Sequence, residues 1–110
     1  MTAGDFPLPD WPGKVDDDPG HDRIAACLVM DIGRADQWAA EVLLQVGKVR
    51  QGLEPSWEMA MNAYILKVGP DTTDIAPVYD EAGESPVTVR TDDLEAALRA
   101  WISKLSKSPD

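Results

Sequence analysis

Residues 56–68 read Ser-Trp-Glu-Met-Ala-Met-Asn-Ala-Tyr-Ile-Leu-Lys-Val. Trp57, Met59, Met61, Ala63 and Ile65 share one parity, while Ala60, Tyr64, Leu66 and Val68 share the other. A repeat of two is the signature of extended chain. A strand apolar on both faces is expected to be central and covered on each side. What stands on either side of this strand decides the fold class.

Toward the C-terminus, Gly69-Pro70-Asp71 predicts a turn. Strands are predicted over 73–79 and 86–90, separated by a loop over 80–85, which together make an antiparallel meander. The period then changes. Leu94, Ala97, Leu98, Trp101, Ile102 and Leu105 fall at i, i+3, i+4, i+7, i+8 and i+11, one apolar stripe of a helix that docks on the sheet. Asp92 is a candidate cap with Glu95 as its reciprocal partner, and Lys104 and Lys107 complement the dipole at the far end.

Toward the N-terminus, Ala35, Trp38, Ala39, Val42, Leu43, Val46 and Val49 describe a second helical stripe over 34–51, ended by Gly52 and Pro55. Residues 24–32, Ile-Ala-Ala-Cys-Leu-Val-Met-Asp-Ile, have the length of a buried strand, and a short helix is the alternative that periodicity does not exclude. Residues 1–22 carry Pro7, Pro9, Pro12 and Pro19 among many aspartates, which predicts an irregular acidic arm. The expectation is an α+β fold: an antiparallel sheet of about three to five strands packed with two amphipathic helices, forming a single domain over 23–108.

With 110 residues the chain has room for one domain and one core. Its 20 acidic and 10 basic residues give a net charge of −10. That field repels nucleic acid and anionic membrane surfaces and attracts basic partners; it also serves solubility alone. Cys27 is the sole cysteine, which suits a reducing compartment. Neither a signal peptide nor a spanning apolar run is legible, so the expected location is cytoplasmic.

Chemistry is sparse. The single histidine, His21, stands six residues before Cys27, and if 24–32 is a strand the thiol is buried while the imidazole lies outside on the arm. One Cys and one His cannot make a structural zinc site. A calcium loop starting at Asp16 needs glycine and glutamate where His21 and Cys27 stand. Asp80, Glu81 and Glu84 fall in an expected exposed loop, which offers no burial to raise a carboxylate's pKa. No glycine-rich phosphate cradle is present. The reading is no enzyme, no metal and no cofactor. Trp38, Trp57 and Trp101 are expected in the core. Trp11, between Pro9 and Pro12, is either an exposed interface anchor or a residue that packs the arm onto the domain.

The stretch Ser56-Trp57-Glu58-Met59-Ala60-Met61-Asn62-Ala63-Tyr64-Ile65-Leu66 resembles the pattern S-W-x-x-A-x-x-x-Y-x-L of the YacL family of small, acidic bacterial proteins. Trp38-Ala39-Ala40-Glu41-Val42 is similar to that family's tryptophan-led helix, and the closing helix has a counterpart. The resemblance spans roughly residues 33–106 and its matching residues are apolar. It implies an immunity protein of contact-dependent growth inhibition, which binds and blocks a toxin domain, commonly a nuclease. Such a domain is basic, and an acidic protein is drawn to it. The expected partner-binding residues are Asp71 and Asp74, the loop residues Asp80, Glu81 and Glu84, and Asp16, Asp17, Asp18 and Trp11 on the arm. The alternative is a cytoplasmic adaptor or regulator of another partner, and the oligomeric state is open.

Overall fold

The computed structural model describes residues 9–79 and 85–107. Helix α1 (Pro19–Cys27) continues through one π-helical turn (Leu28–Ile32), and α2 (Asp36–Arg50) follows. Strands β1 (Trp57–Ala60), β2 (Tyr64–Val68), β3 (Thr72–Pro77) and β4 (Val87–Arg90) form a four-stranded antiparallel sheet in that order, and α3 (Thr91–Lys107) closes the chain. The fold is α+β, with helices on one face of the sheet.

Residues 24–32 are helical, not a strand, and the helix begins inside the expected arm. Asp18 accepts hydrogen bonds from the N–H groups of Gly20 (2.9 Å) and His21 (3.1 Å), and Pro19 occupies the first turn, where its missing N–H costs nothing. The buried residues His21, Ile24, Cys27, Leu28 and Ile32 make a helical stripe, while Met30 in the same apolar run is 58% exposed. Gly33 ends the turn at φ 56°, ψ −133°, a conformation open to glycine. The irregular segment therefore stops at Asp18.

Residues 56–68 are two strands, not one. Trp57 pairs with Val68 and Ala60 with Ile65, and the Met61 N–H donates to the Tyr64 carbonyl at 2.9 Å across the turn. The turn shifts the parity, so Trp57 and Met59 share a face with Leu66 and Val68. That face also carries Thr73, Ile75 and Val89 and is covered by the helices around Trp101. The opposite face has no cover among the described residues: Glu58, Lys67, Asp74 and Thr88 lie side by side across the four strands and all are exposed.

The core joins α2's Ala39, Val42, Val46 and Val49 to α3's Leu94, Ala97, Leu98 and Trp101. The Trp101 indole N–H donates to the Gly33 carbonyl at 2.8 Å, tying α3 to the end of the π turn. The Asp31 carboxylate accepts from the N–H groups of Ala63 (2.6 Å) and Tyr64 (3.0 Å), which fastens the β1–β2 turn to the helical layer. Asp92 does not cap α3. It meets Arg50 at 3.0 Å and Arg90 at 3.4 Å, and Glu95 also engages Arg50, so both bridge α3 to its neighbours.

Candidate functional site

β4 passes into α3 without a loop, and Thr91 at the junction fixes what surrounds it. Its hydroxyl donates to the Gly69 carbonyl at 2.7 Å and lies 2.8 Å from the Thr73 hydroxyl, and its N–H donates to the Asp71 carbonyl at 3.0 Å. The β2–β3 turn that carries Asp71 is thereby held against the first turn of α3, where Asp92 and Asp93 stand. On the other side, α1 packs beneath β4 so closely that a Cβ added at Gly20 would come within 3.0 Å of Val89. Asp18 and Asp93, far apart in sequence, consequently line one recess of about 220 Å³ with Gly20, His21 and Arg90.

The expected partner-binding residues divide. Asp16 and Asp17 are exposed beside this recess, Asp16 within 3.2 Å of the Lys14 ammonium. Asp17 holds φ 65°, a left-handed conformation that aspartate tolerates better than most side chains. Asp18 is committed to capping α1. Asp71 is exposed at the β4–α3 junction, and exposed Asp74 accepts from the Thr88 hydroxyl at 2.7 Å on the open sheet face. Asp80, Glu81 and Glu84 lie outside the described residues.

The reading of Trp11 as an exposed anchor is overturned: it is 4% exposed. Its ring meets the edge of His21 at 5.5 Å between centroids, with the Lys14 ammonium 5.8 Å above its centroid. The indole N–H has no hydrogen-bond partner among the described residues. Apolar area outweighs that one polar atom, so the ring packs the segment onto the domain.

Asp92 and Asp93 belong to the same acidic end and were missed as surface groups. Their one sequence signal is position, in the first helical turn directly after a strand.

His21 is buried rather than solvated. Its Nδ1 accepts from the Val15 N–H at 2.8 Å, so the proton resides on Nε2 and faces Asp93 at 3.2 Å. Both nitrogens are occupied by the protein, which leaves neither to take a substrate proton. Cys27 is 2% exposed. Burial, then the nearby charge of Asp31 and its hydrogen bond, push the thiol pKa up to about 12, so it stays protonated and unreactive near neutral pH.

Among the described residues no group of three or more His, Cys, Asp or Glu side chains is arranged to hold a metal ion, and no helix is long and apolar enough to cross a membrane. A larger recess lies elsewhere, about 560 Å³ between α2 and α3. No protein-family model, curated protein or solved structure matches the chain.

Proposed function

We propose that this chain is a cytoplasmic binding protein whose acidic end, around β4 and the first turns of α1 and α3, receives a basic protein surface. Following the resemblance to the YacL family, that partner is a toxin domain and the chain is its immunity protein. The observation that carries the reading is the gathering of Asp16, Asp17, Asp18, Asp71, Asp92 and Asp93 from three stretches of sequence onto one end of the molecule. Three basic side chains described there, Lys14, Arg50 and Arg90, offset these six carboxylates only in part. A field of this sign speeds the capture of a cationic partner, whose association rate then rises above the roughly 10⁵–10⁶ M⁻¹s⁻¹ of uncharged encounters. The occupied nitrogens of His21 and the protonated Cys27 thiol argue for binding rather than turnover.

The test begins with capture of the partner from the native host and its identification by mass spectrometry. Association is then timed at low and high salt for wild type and for the triple variant Asp16→Lys, Asp71→Lys, Asp74→Lys. These side chains are exposed, so the melting temperature should hold. Asp18 is left intact because it caps α1. The variant should associate more slowly and lose most of the salt dependence, with a smaller change in dissociation. A rate that is flat in salt, with silent charge reversals, would leave the acidity as a solubility feature. A parallel reversal of Asp80, Glu81 and Glu84 reads the contribution of the β3–β4 loop.

A further inference from the structure

α2 carries two apolar stripes, and the core uses one. Ala39, Val42, Val46 and Val49 are buried and Leu43 packs partly against them at the groove's edge, whereas Ala40, Leu44 and Gly47 recur at i, i+4 and i+7 on the outward side. With Arg99 and Ile102 of α3 as the second wall, the outward stripe floors the 560 Å³ groove. Leu44 is 53% exposed and Leu53, at the groove's end, 67%. These are two of the most exposed large apolar side chains among the described residues, and they stand together.

Gly47 adds an independent sign. A glycine inside a helix weakens it relative to alanine, and folds keep one where the backbone needs a positive φ or where something approaches closely. Gly47 is not among the positive-φ residues, and a Cβ added there would meet nothing nearer than the Gln51 amide nitrogen at 3.9 Å. Nothing among the described residues crowds the position, so the helix backbone at Gly47 is open to close approach from outside.

We propose that the groove is the seat of a second copy of this chain, the two α2 helices packing antiparallel about a two-fold axis near Leu44. The charges on α2 choose this occupant. Glu41 and Lys48 lie on one flank of the outward stripe, one on each side of Leu44. A two-fold axis at Leu44 sets residue i opposite residue 88 − i. Leu44 then meets its own counterpart, Glu41 comes within one residue of the partner's Lys48, and Ala40 within one residue of the partner's Gly47. One residue is about 1.5 Å along a helix, well inside the reach of a lysine. Small faces small where the helices cross, and each carboxylate finds an ammonium. Lys48 has no ion-pair partner among the described residues of its own protomer.

The salt response separates this surface from the acidic end. Two copies of net charge −10 repel at long range, so screening should tighten the dimer; capture of a basic partner should instead slow as salt rises. Sedimentation velocity on the full chain over a concentration series is the experiment. Wild type should pass from monomer to dimer, at lower concentration in higher salt. Leu44→Glu should remain monomeric throughout, with unchanged helical circular dichroism and melting temperature. Gly47→Ala should raise the monomer's melting temperature yet weaken association severalfold. Lys48→Glu should also weaken association, and the exchange Glu41→Lys with Lys48→Glu should restore it, which a folding defect would not. A wild-type chain that stays monomeric at every concentration, a dimer that Leu44→Glu leaves intact, or an exchange variant that fails to recover overturns the proposal.

Discussion

Trp101 and Trp11 are both buried, at 0% and 4% exposure, and they hold opposite stretches of the chain onto the same core. Trp101 lies midway along α3 with its indole N–H satisfied by the Gly33 carbonyl. Trp11 lies in a segment without regular structure, its ring against His21 and its N–H without a partner among the described residues. The difference teaches what regular structure supplies. A helix presents its aromatic at a set position and angle, so the one polar atom can be matched to an acceptor. An irregular segment settles where apolar area is best covered, and its polar atom takes what is left.

The largest effect expected is at the satisfied end. Trp101→Ala removes the biggest fully buried side chain among the described residues and leaves the Gly33 carbonyl unmet, so it should cost about 3–5 kcal/mol in urea unfolding. A loss under about 1 kcal/mol would mean that α3 does not dock as described. Next is the acceptor side of the same contact. Gly33 at φ 56°, ψ −133° sits where a Cβ is strained, so Gly33→Ala should cost about 1–3 kcal/mol. The strain also displaces the carbonyl that Trp101 uses, so the two losses should not add. Full additivity would separate the turn from the tryptophan.

The same contrast explains what could be read from the sequence. The stripes of α2 and α3 and the strands β3 and β4 were legible because each is a local repeat ended by a local breaker. The β1–β2 turn was not. Its four residues, Met61 to Tyr64, contain no glycine or proline, and two of its N–H groups, those of Ala63 and Tyr64, are met by Asp31, about thirty residues earlier in another layer. A turn made by a distant carboxylate leaves no local mark. Helix α1 was legible and was misread: Asp18 followed by Pro19 is a cap and first-turn signature, but the apolar run after it suggested a strand. Of the expected acidic surface, Asp16, Asp17 and Asp71 stand exposed near Asp92 and Asp93, an arrangement made by the Thr91 junction that only the tertiary structure contains.

Cys27 lies at the end of α1, between the two tryptophans in sequence, and gives a titration that tests how well that helix is closed. Its pKa rises from 9.0 to about 12, first through burial and then through Asp31. Folding therefore favours the protonated thiol. Stability from this group is present in full below pH 9 and is lost as pH climbs toward 12, because only the unfolded chain has released the proton in that window. Each pH unit there removes up to about 1.4 kcal/mol. Urea unfolding of wild type should weaken more between pH 8 and pH 10 than that of Cys27→Ala. Parallel declines would mean that water reaches the thiol in the folded state, and the closed end of α1 would have to be redrawn.

The smallest effect expected is at the unsatisfied end, and it sharpens the comparison most. Trp11→Phe loses some buried aromatic area, about 1 kcal/mol on area scales. It also deletes an N–H whose burial without a partner costs about 1–3 kcal/mol. The two contributions oppose, so the net change should run from about zero to about 2 kcal/mol of stabilisation. Trp101→Phe loses comparable area and a made hydrogen bond, which strands the Gly33 carbonyl, and the contributions reinforce at about 2–4 kcal/mol in total. Unfolding of the two phenylalanine variants side by side measures that difference. Equal losses would show that the Trp11 N–H has found an acceptor beyond the described residues, and the segment before α1 would then be held as specifically as α3.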